Sequence, residues 1–358
     1  MDQKLKIVHC ANFSYPKNGA VYYATDAKIT HGLIRNGHYV YDFSYRDQAK
    51  LHRFLGFKKT SIRLMNQDLI ETCRNIQPDV LLLAKAELVT IETLKTIKEL
   101  LPHIKIGQWF VDFLDYEKPE FFERLDYIDA FFQTSAAKLE KLSDVYCNTL
   151  FSYMPNIADP AFERSLNLEK EYDVIYIARD YKEDNRYKFA VLLQEFCKAH
   201  DINLKLFASL GNPPIFGHSY YEAIAKAKIA INFNRTDGVQ GINKEKFMGS
   251  SDRMNHMMGT GTCLFCPRIP GLDMMYTDKQ DLVYFDNFDE CGEKILEYLK
   301  SGEYHRIAKQ GQKKVFEVSN AQKVTRYMLE TLYGQQHSEP YEWGTLKYYQ
   351  GKQRCSEK

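Results

Sequence analysis

The sequence lacks most of the features that would assign it quickly. Its 358 residues contain no long apolar run. The longest plain stretch, residues 80–84, falls far short of the ~20 residues that a membrane-crossing helix needs. The first six residues lead straight into a short strand pattern instead of an apolar leader, so a cytoplasmic location is expected. No charge of one sign dominates. Lys and Arg total 48 against 47 Asp and Glu, a formal net charge of +1. This balance gives no general attraction to nucleic acid, so any anion site has to be local. The eight cysteines are scattered and expected to be reduced thiols. Cys263 and Cys266 form a C-x-x-C, but on a strand residues three apart point to opposite faces, which makes a poor chelate. The phosphate-loop, H-E-x-x-H and G-x-S-x-G signatures are absent.

What remains is an alternation of short apolar strands and amphipathic helices. Strand patterns occur at 4–10, 39–43, 79–84, 104–111 and 130–133, with helical spacing at 21–36, 61–75 and 90–101. A proline-bounded connection at 154–160 interrupts the series, which restarts near residue 170. Strands at 173–178, 203–208, 229–233, 264–266 and 282–285 then alternate with helices, ending in a long one at 321–333. The pattern predicts an α/β protein of two Rossmann-like domains with parallel sheets. The expected boundaries are 1–160, 161–333 and a tail at 334–358 that packs back on the first domain. Ligands in such folds sit beyond the carboxyl ends of the strands, here at a cleft between the domains. In the tail, Tyr341, Trp343, Tyr348 and Tyr349 alternate with Lys347, Lys352 and Arg354. A packing element with a frayed end and a membrane-surface contact are the two readings of that composition.

The stretch 237–285 carries the densest candidate chemistry. Lys244 and Lys246 lie on a Gly-containing loop, and Arg253 and His256 lie on the helix that follows. Asp252 reads as its N-cap. A basic loop before a helix N-terminus suits a diphosphate, because free N–H groups and the helix dipole favour anions. Gly259 and Gly261 end that helix instead of opening one, which fits a C-terminal turn better than a dinucleotide fingerprint.

Arg253, His256, Gly261, Leu264-Phe265, Pro270-Gly271-Leu272 and Asp281-Leu282-Val283-Tyr284-Phe285 together resemble the C-terminal motif of GT-B glycosyltransferases. The likeness is greatest to the spore-maturation-like group with a "glycosyl transferases group 1" C-terminal domain. Residues 173–178 with Arg186, residues 221–232, and the Met154-Pro155-Asn156 connection resemble further landmarks. The resemblance implies a nucleotide-diphosphate-sugar donor, such as a UDP-sugar, on the C-terminal domain and an acceptor on the N-terminal one. It implies that Arg253 and Lys246 touch the diphosphate, with Arg179, Arg186 and Lys244 as further cations. Pro270, Gly271 and Leu272 would approach the donor through backbone groups. His256 stands where relatives have a ribose-binding glutamate, and Met248 stands where retaining relatives have the partner glutamate, so retention is not supported. No two aspartates are spaced as D-x-D, so no metal or cofactor is expected. Fixed cations would then stabilise the leaving diphosphate.

On the acceptor side, Asp112 and Asp115 follow a strand and are candidates for the catalytic base. Asn12 and Ser14, after the first strand, are further acceptor contacts. The expected function is transfer of a sugar to a glycan, lipid-linked or protein acceptor in bacterial-type surface glycan synthesis, without nucleic acid as a partner. A peripheral site at the inner membrane face is the variant that the tail suggests. A degenerate GT-B-like binding or assembly protein, and a sugar-nucleotide hydrolase or epimerase, are the alternatives.

Overall fold

The computed structural model describes residues 3–53 and 56–351. The chain divides into two units, Met1–Pro155 with Ala321–Lys358, and Asn156–Asn320. Unit 1 is built on β1 (Lys6–Ala11), β2 (Tyr39–Ser44), β3 (Val80–Leu83), β4 (Lys105–Phe110), β5 (Ala130–Gln133) and β6 (Leu150–Tyr153). Unit 2 carries β7 (Tyr172–Ile177), β8 (Leu204–Phe207), β9 (Ala227–Ile231), β10 (Cys263–Pro267) and β11 (Val283–Phe285). The chain then returns to unit 1, where β12 (Lys347–Tyr348) closes the series.

The described residues of unit 1 form a seven-stranded sheet in the order β12-β6-β5-β4-β3-β1-β2. Every pairing is parallel except that of β12, which runs antiparallel along β6. Helices cover a parallel sheet on both faces, so its central strands read as unbroken apolar runs. β3 is Val-Leu-Leu-Leu and every residue of it is buried. Unit 2 is a five-stranded parallel sheet in the order β11-β10-β9-β7-β8. Its core joins Val174, Tyr176, Ile229, Ile231 and Phe265 to Phe189 and Leu193 of the helix Asn185–Ala199. In both sheets the first strand has the second on one side and the third on the other. The direction of winding reverses there, between β1 and β3 and between β7 and β9. Ligands of doubly wound sheets bind at the carboxyl ends of the strands at such a reversal.

The long helix Ala321–Leu332 belongs to unit 1, which corrects the expected boundary at 333. It lies against the helix Thr25–Arg35. Gly32 permits the approach: a Cβ there would stand 2.2 Å from the Ala321 carbonyl oxygen. Gly32→Ala is expected to lower stability by about 2 kcal/mol through overpacking of this contact. An unchanged melting temperature would contradict that.

The tail folds back as well. Trp343 and Tyr341 are buried and pack edge-on against Tyr327. They are therefore core residues of unit 1 and not an aromatic surface for a membrane. Tyr349 stays exposed, and Lys352 and Arg354 lie outside the described residues. No described helix is long and apolar enough to cross a membrane. Cys263 and Cys266 are buried free thiols in β10, as are Cys10, Cys73, Cys197 and Cys291.

Candidate functional site

In unit 2 the polar groups concentrate beyond the carboxyl ends of β7 and β9. After β7 the chain turns into the helix Asn185–Ala199, capped by Asp184, whose carboxylate accepts the Tyr187 N–H at 2.8 Å. Arg186 sits in the first turn. Its Nε donates to the Phe233 carbonyl at 3.3 Å, and one terminal nitrogen donates to the Arg179 carbonyl at 3.1 Å. Arg253 occupies the first turn of the helix Asp252–Gly259. It donates to Asn234 Oδ1 at 2.9 Å and, at 3.4 Å, to the same Phe233 carbonyl. Two guanidinium groups thus meet at one backbone oxygen. Burial, and after it the charge of Arg253, pull the Arg186 pKa down to about 10. Like charges held together in a half-buried place repel one another, and an anion between them relieves the repulsion.

The same place holds unsatisfied hydrogen-bonding capacity. Arg253 Nε, the amide nitrogens of Asn232 and Asn234, Thr236 Oγ1 and the Tyr176 hydroxyl are all buried without a hydrogen-bond partner. Buried polar atoms are ordinarily paired, because an orphan costs about 1–3 kcal/mol. Orphaned N–H donors beside two arginines fit a ligand rich in acceptor oxygens. Asn232 and Asn234 are oriented by their oxygens, Asn232 accepting from Ser251 Oγ at 2.8 Å and Asn234 from Arg253.

The other residues expected here divide. Lys246 is buried and forms an ion pair with Asp237, whose other oxygen accepts the Asn234 N–H at 2.6 Å. Its charge is therefore matched within the fold, and its position is that of a brace for the loop after β9. Lys244 and Arg179 are exposed. Asp252 is the first helical residue, after Ser251, and not the cap that the sequence suggested. Gly271 has a left-handed φ of 83°, and a Cβ there would lie 2.4 Å from the Phe247 ring, so only glycine fits. The Pro270 carbonyl accepts the Met248 N–H at 2.9 Å, and Leu272 is buried.

His256 is 3% exposed. Its Nδ1 lies 3.2 Å from the Tyr220 hydroxyl and its Nε2 3.9 Å from Glu163. Glu163 accepts in turn from the Tyr221 hydroxyl at 2.6 Å. His256 is thus enclosed in the core of unit 2, between Tyr220 and Glu163.

In unit 1, Asp112 and Asp115 follow β4 and are both exposed; Asp115 pairs with Lys138. Asn12 and Ser14 follow β1. Ser14, in a left-handed conformation, donates to Asn12 Oδ1 at 3.3 Å. The Asn12 N–H is held at 2.9 Å by Asp26, whose pKa burial raises to about 6. Beneath them runs a relay that sequence reasoning missed. Trp109 Nε1–H donates to His9 Nε2 at 3.1 Å, His9 Nδ1 meets Thr30 Oγ1 at 2.9 Å, and Thr30 donates to Asp42 at 2.6 Å. Burial drives the His9 pKa down to about 3, so the ring is neutral.

Residues 182–330 match the protein family described as glycosyl transferase-like. No curated protein sequence matches the chain. Among solved structures, a glycosyltransferase from Rickettsia africae aligns with a TM-score of 0.59 at 10% identity, over 93% of this chain and 98% of that one. Sucrose-phosphate synthase from Thermosynechococcus elongatus aligns at 0.58 and 9%, with the same coverage. Anabaena HepE, solved with UDP-glucose, aligns at 0.58 and 10%, over 92% of this chain and all of that one. At such identities the likeness speaks to the fold, which is GT-B: two Rossmann-like α/β units.

Proposed function

We propose that this chain is a glycosyltransferase that takes a sugar from a nucleoside-diphosphate donor, with the diphosphate bound by unit 2. One observation carries the reading. Within the segment that matches the glycosyl transferase-like family, Arg186 and Arg253 converge at the winding reversal, and the Arg253 Nε has no partner. Departure of a nucleoside diphosphate builds negative charge on phosphate oxygens, and cations already fixed in place stabilise it without reorganisation. Anabaena HepE carries UDP-glucose on the same fold, which favours a UDP-sugar.

The finer parts of the reading extend beyond the fold. Transfer of a hexosyl group, a role in bacterial-type surface glycan synthesis and a cytoplasmic site are proposed with it. So is membership of the spore-maturation-like group. Asp112 or Asp115 serves as the base toward the acceptor hydroxyl, with Asn12 and Ser14 beside it. A second reading, a binding protein that has lost transfer, is favoured by the enclosure of His256 in the core, since fold alone does not grant activity.

The proposed chemistry needs no metal and no cofactor, because the two arginines supply the positive charge. Sugar transfer from a UDP-sugar is therefore expected to persist in excess EDTA within about twofold of the untreated rate, a barrier change under ~0.5 kcal/mol. Loss of activity in EDTA, restored by Mn²⁺, would overturn the metal-free mechanism. Nucleotide binding with no turnover of any donor would favour the binding protein.

A further inference from the structure

Unit 1 contains a groove that the donor reading leaves unused. It lies beyond the carboxyl ends of β3 and β4 and encloses about 780 Å³, within the range of small-molecule sites. Arg124 lines it while being only 3% exposed. Its guanidinium donates to the Ala86 carbonyl and rests 5.5 Å from the centre of the Phe121 ring, and its Nε has no partner. Along the walls Arg46 meets Glu87 at 2.8 Å and Lys85 meets Glu117 at 2.5 Å. The Tyr45 hydroxyl donates to the same Glu87. Tyr116 stands among the lining residues with 68% of its surface exposed.

This lining selects a chemistry. Its basic side chains, Arg46, Lys85, Lys118 and Arg124, are outnumbered by glutamates, so the groove offers no net attraction to a phosphorylated ligand. Charged groups on every wall would lose hydration against an acyl chain. Paired carboxylates and cations can instead accept from and donate to vicinal hydroxyls, in the charge-assisted bonds that are the stronger kind. An exposed aromatic ring offers its face to the C–H surface of a sugar.

We infer that this groove binds a neutral oligosaccharide, with Arg124, Glu87 and Glu117 bonding hydroxyls and Tyr116 stacking on a ring. Naming that oligosaccharide the acceptor rests on the glycosyltransferase reading; the binding itself does not.

The test titrates the full chain with cellotetraose, maltotetraose, chitotetraose and decyl phosphate by saturation-transfer NMR and calorimetry, and separately with UDP. Tyr116→Ala and Glu117→Gln are compared with wild type. At least one tetrasaccharide is expected to bind, with affinity falling about tenfold in each variant. Affinity for UDP should stay within about twofold, which also reports that both variants are folded. Absence of saccharide binding, saccharide binding unaffected by both substitutions, or decyl phosphate as the ligand lost in the variants would overturn the inference. Wild type that binds a saccharide but no UDP would leave the groove standing and remove the glycosyltransferase reading instead.

Discussion

Replacing His9 with asparagine is expected to change how stability responds to acid by about 3 kcal/mol between pH 6.5 and pH 4. His9 is fully buried, and burial lowers its pKa from 6.5 to about 3. In the unfolded chain the imidazole takes up a proton below pH 6.5, whereas in the folded chain it stays neutral until about pH 3. The unfolded state therefore binds more protons throughout that interval, and stability falls as the pH falls. Asp26 acts in the opposite sense. Its pKa is raised to about 6 by burial, so the folded state binds the extra proton and gains about 2 kcal/mol over the same range. The wild-type curve consequently conceals both groups, and only the difference between wild type and variant exposes His9. Urea unfolding at pH 6.5, 5 and 4 supplies that difference. Parallel curves for the two proteins would show that the ring is not held neutral by the fold.

Arg253→Ala is expected to weaken UDP binding about 30- to 100-fold, the loss of about 2–3 kcal/mol from one charge-assisted hydrogen bond. Its guanidinium Nε is buried and unpartnered, and it touches both Phe233 and Asn234. Arg253→Lys should recover only part of the loss, because an ammonium cannot reproduce the planar fork. The exposed Lys244 provides the contrast, and Lys244→Ala should alter affinity by less than about threefold. Calorimetry on the three variants checks the order. Equal losses at Lys244 and Arg253 would mean that general charge, and not the site at β9, attracts the nucleotide.

Much of this architecture could be read from the chain, because parallel strands covered on both faces announce themselves as short apolar runs. Residues 80–83, 105–110 and 172–177 needed no tertiary information. The runs that escaped notice were weaker. β6 is Leu-Phe-Ser-Tyr, broken by a serine whose hydroxyl bonds to Tyr327 at 2.7 Å, far away in sequence. The two residues of β12 are a strand only because β6 is there to pair with them. The helices Tyr45–Leu51 and Leu139–Val145 are two turns each, too short for a period to emerge.

At the candidate site the motif drew attention to Arg253, while the pairing of its neighbours left no mark in the spacing. Nothing in the spacing says that Lys246 is neutralised by Asp237, or that His256 turns toward Tyr220 and Glu163. Asn232 and Asn234 look like ordinary loop residues until their amide nitrogens are found without partners. Unsatisfied capacity is a property of three dimensions, and it marks this site more sharply than charge does.

The most direct measurement is a crystal structure of the protein with UDP. Diphosphate oxygens are expected at ~3 Å from Arg253 Nε, with Arg186 on the same group at the reversal between β7 and β9. A diphosphate seated elsewhere, with the Arg253 Nε still unbonded, would contradict that placement.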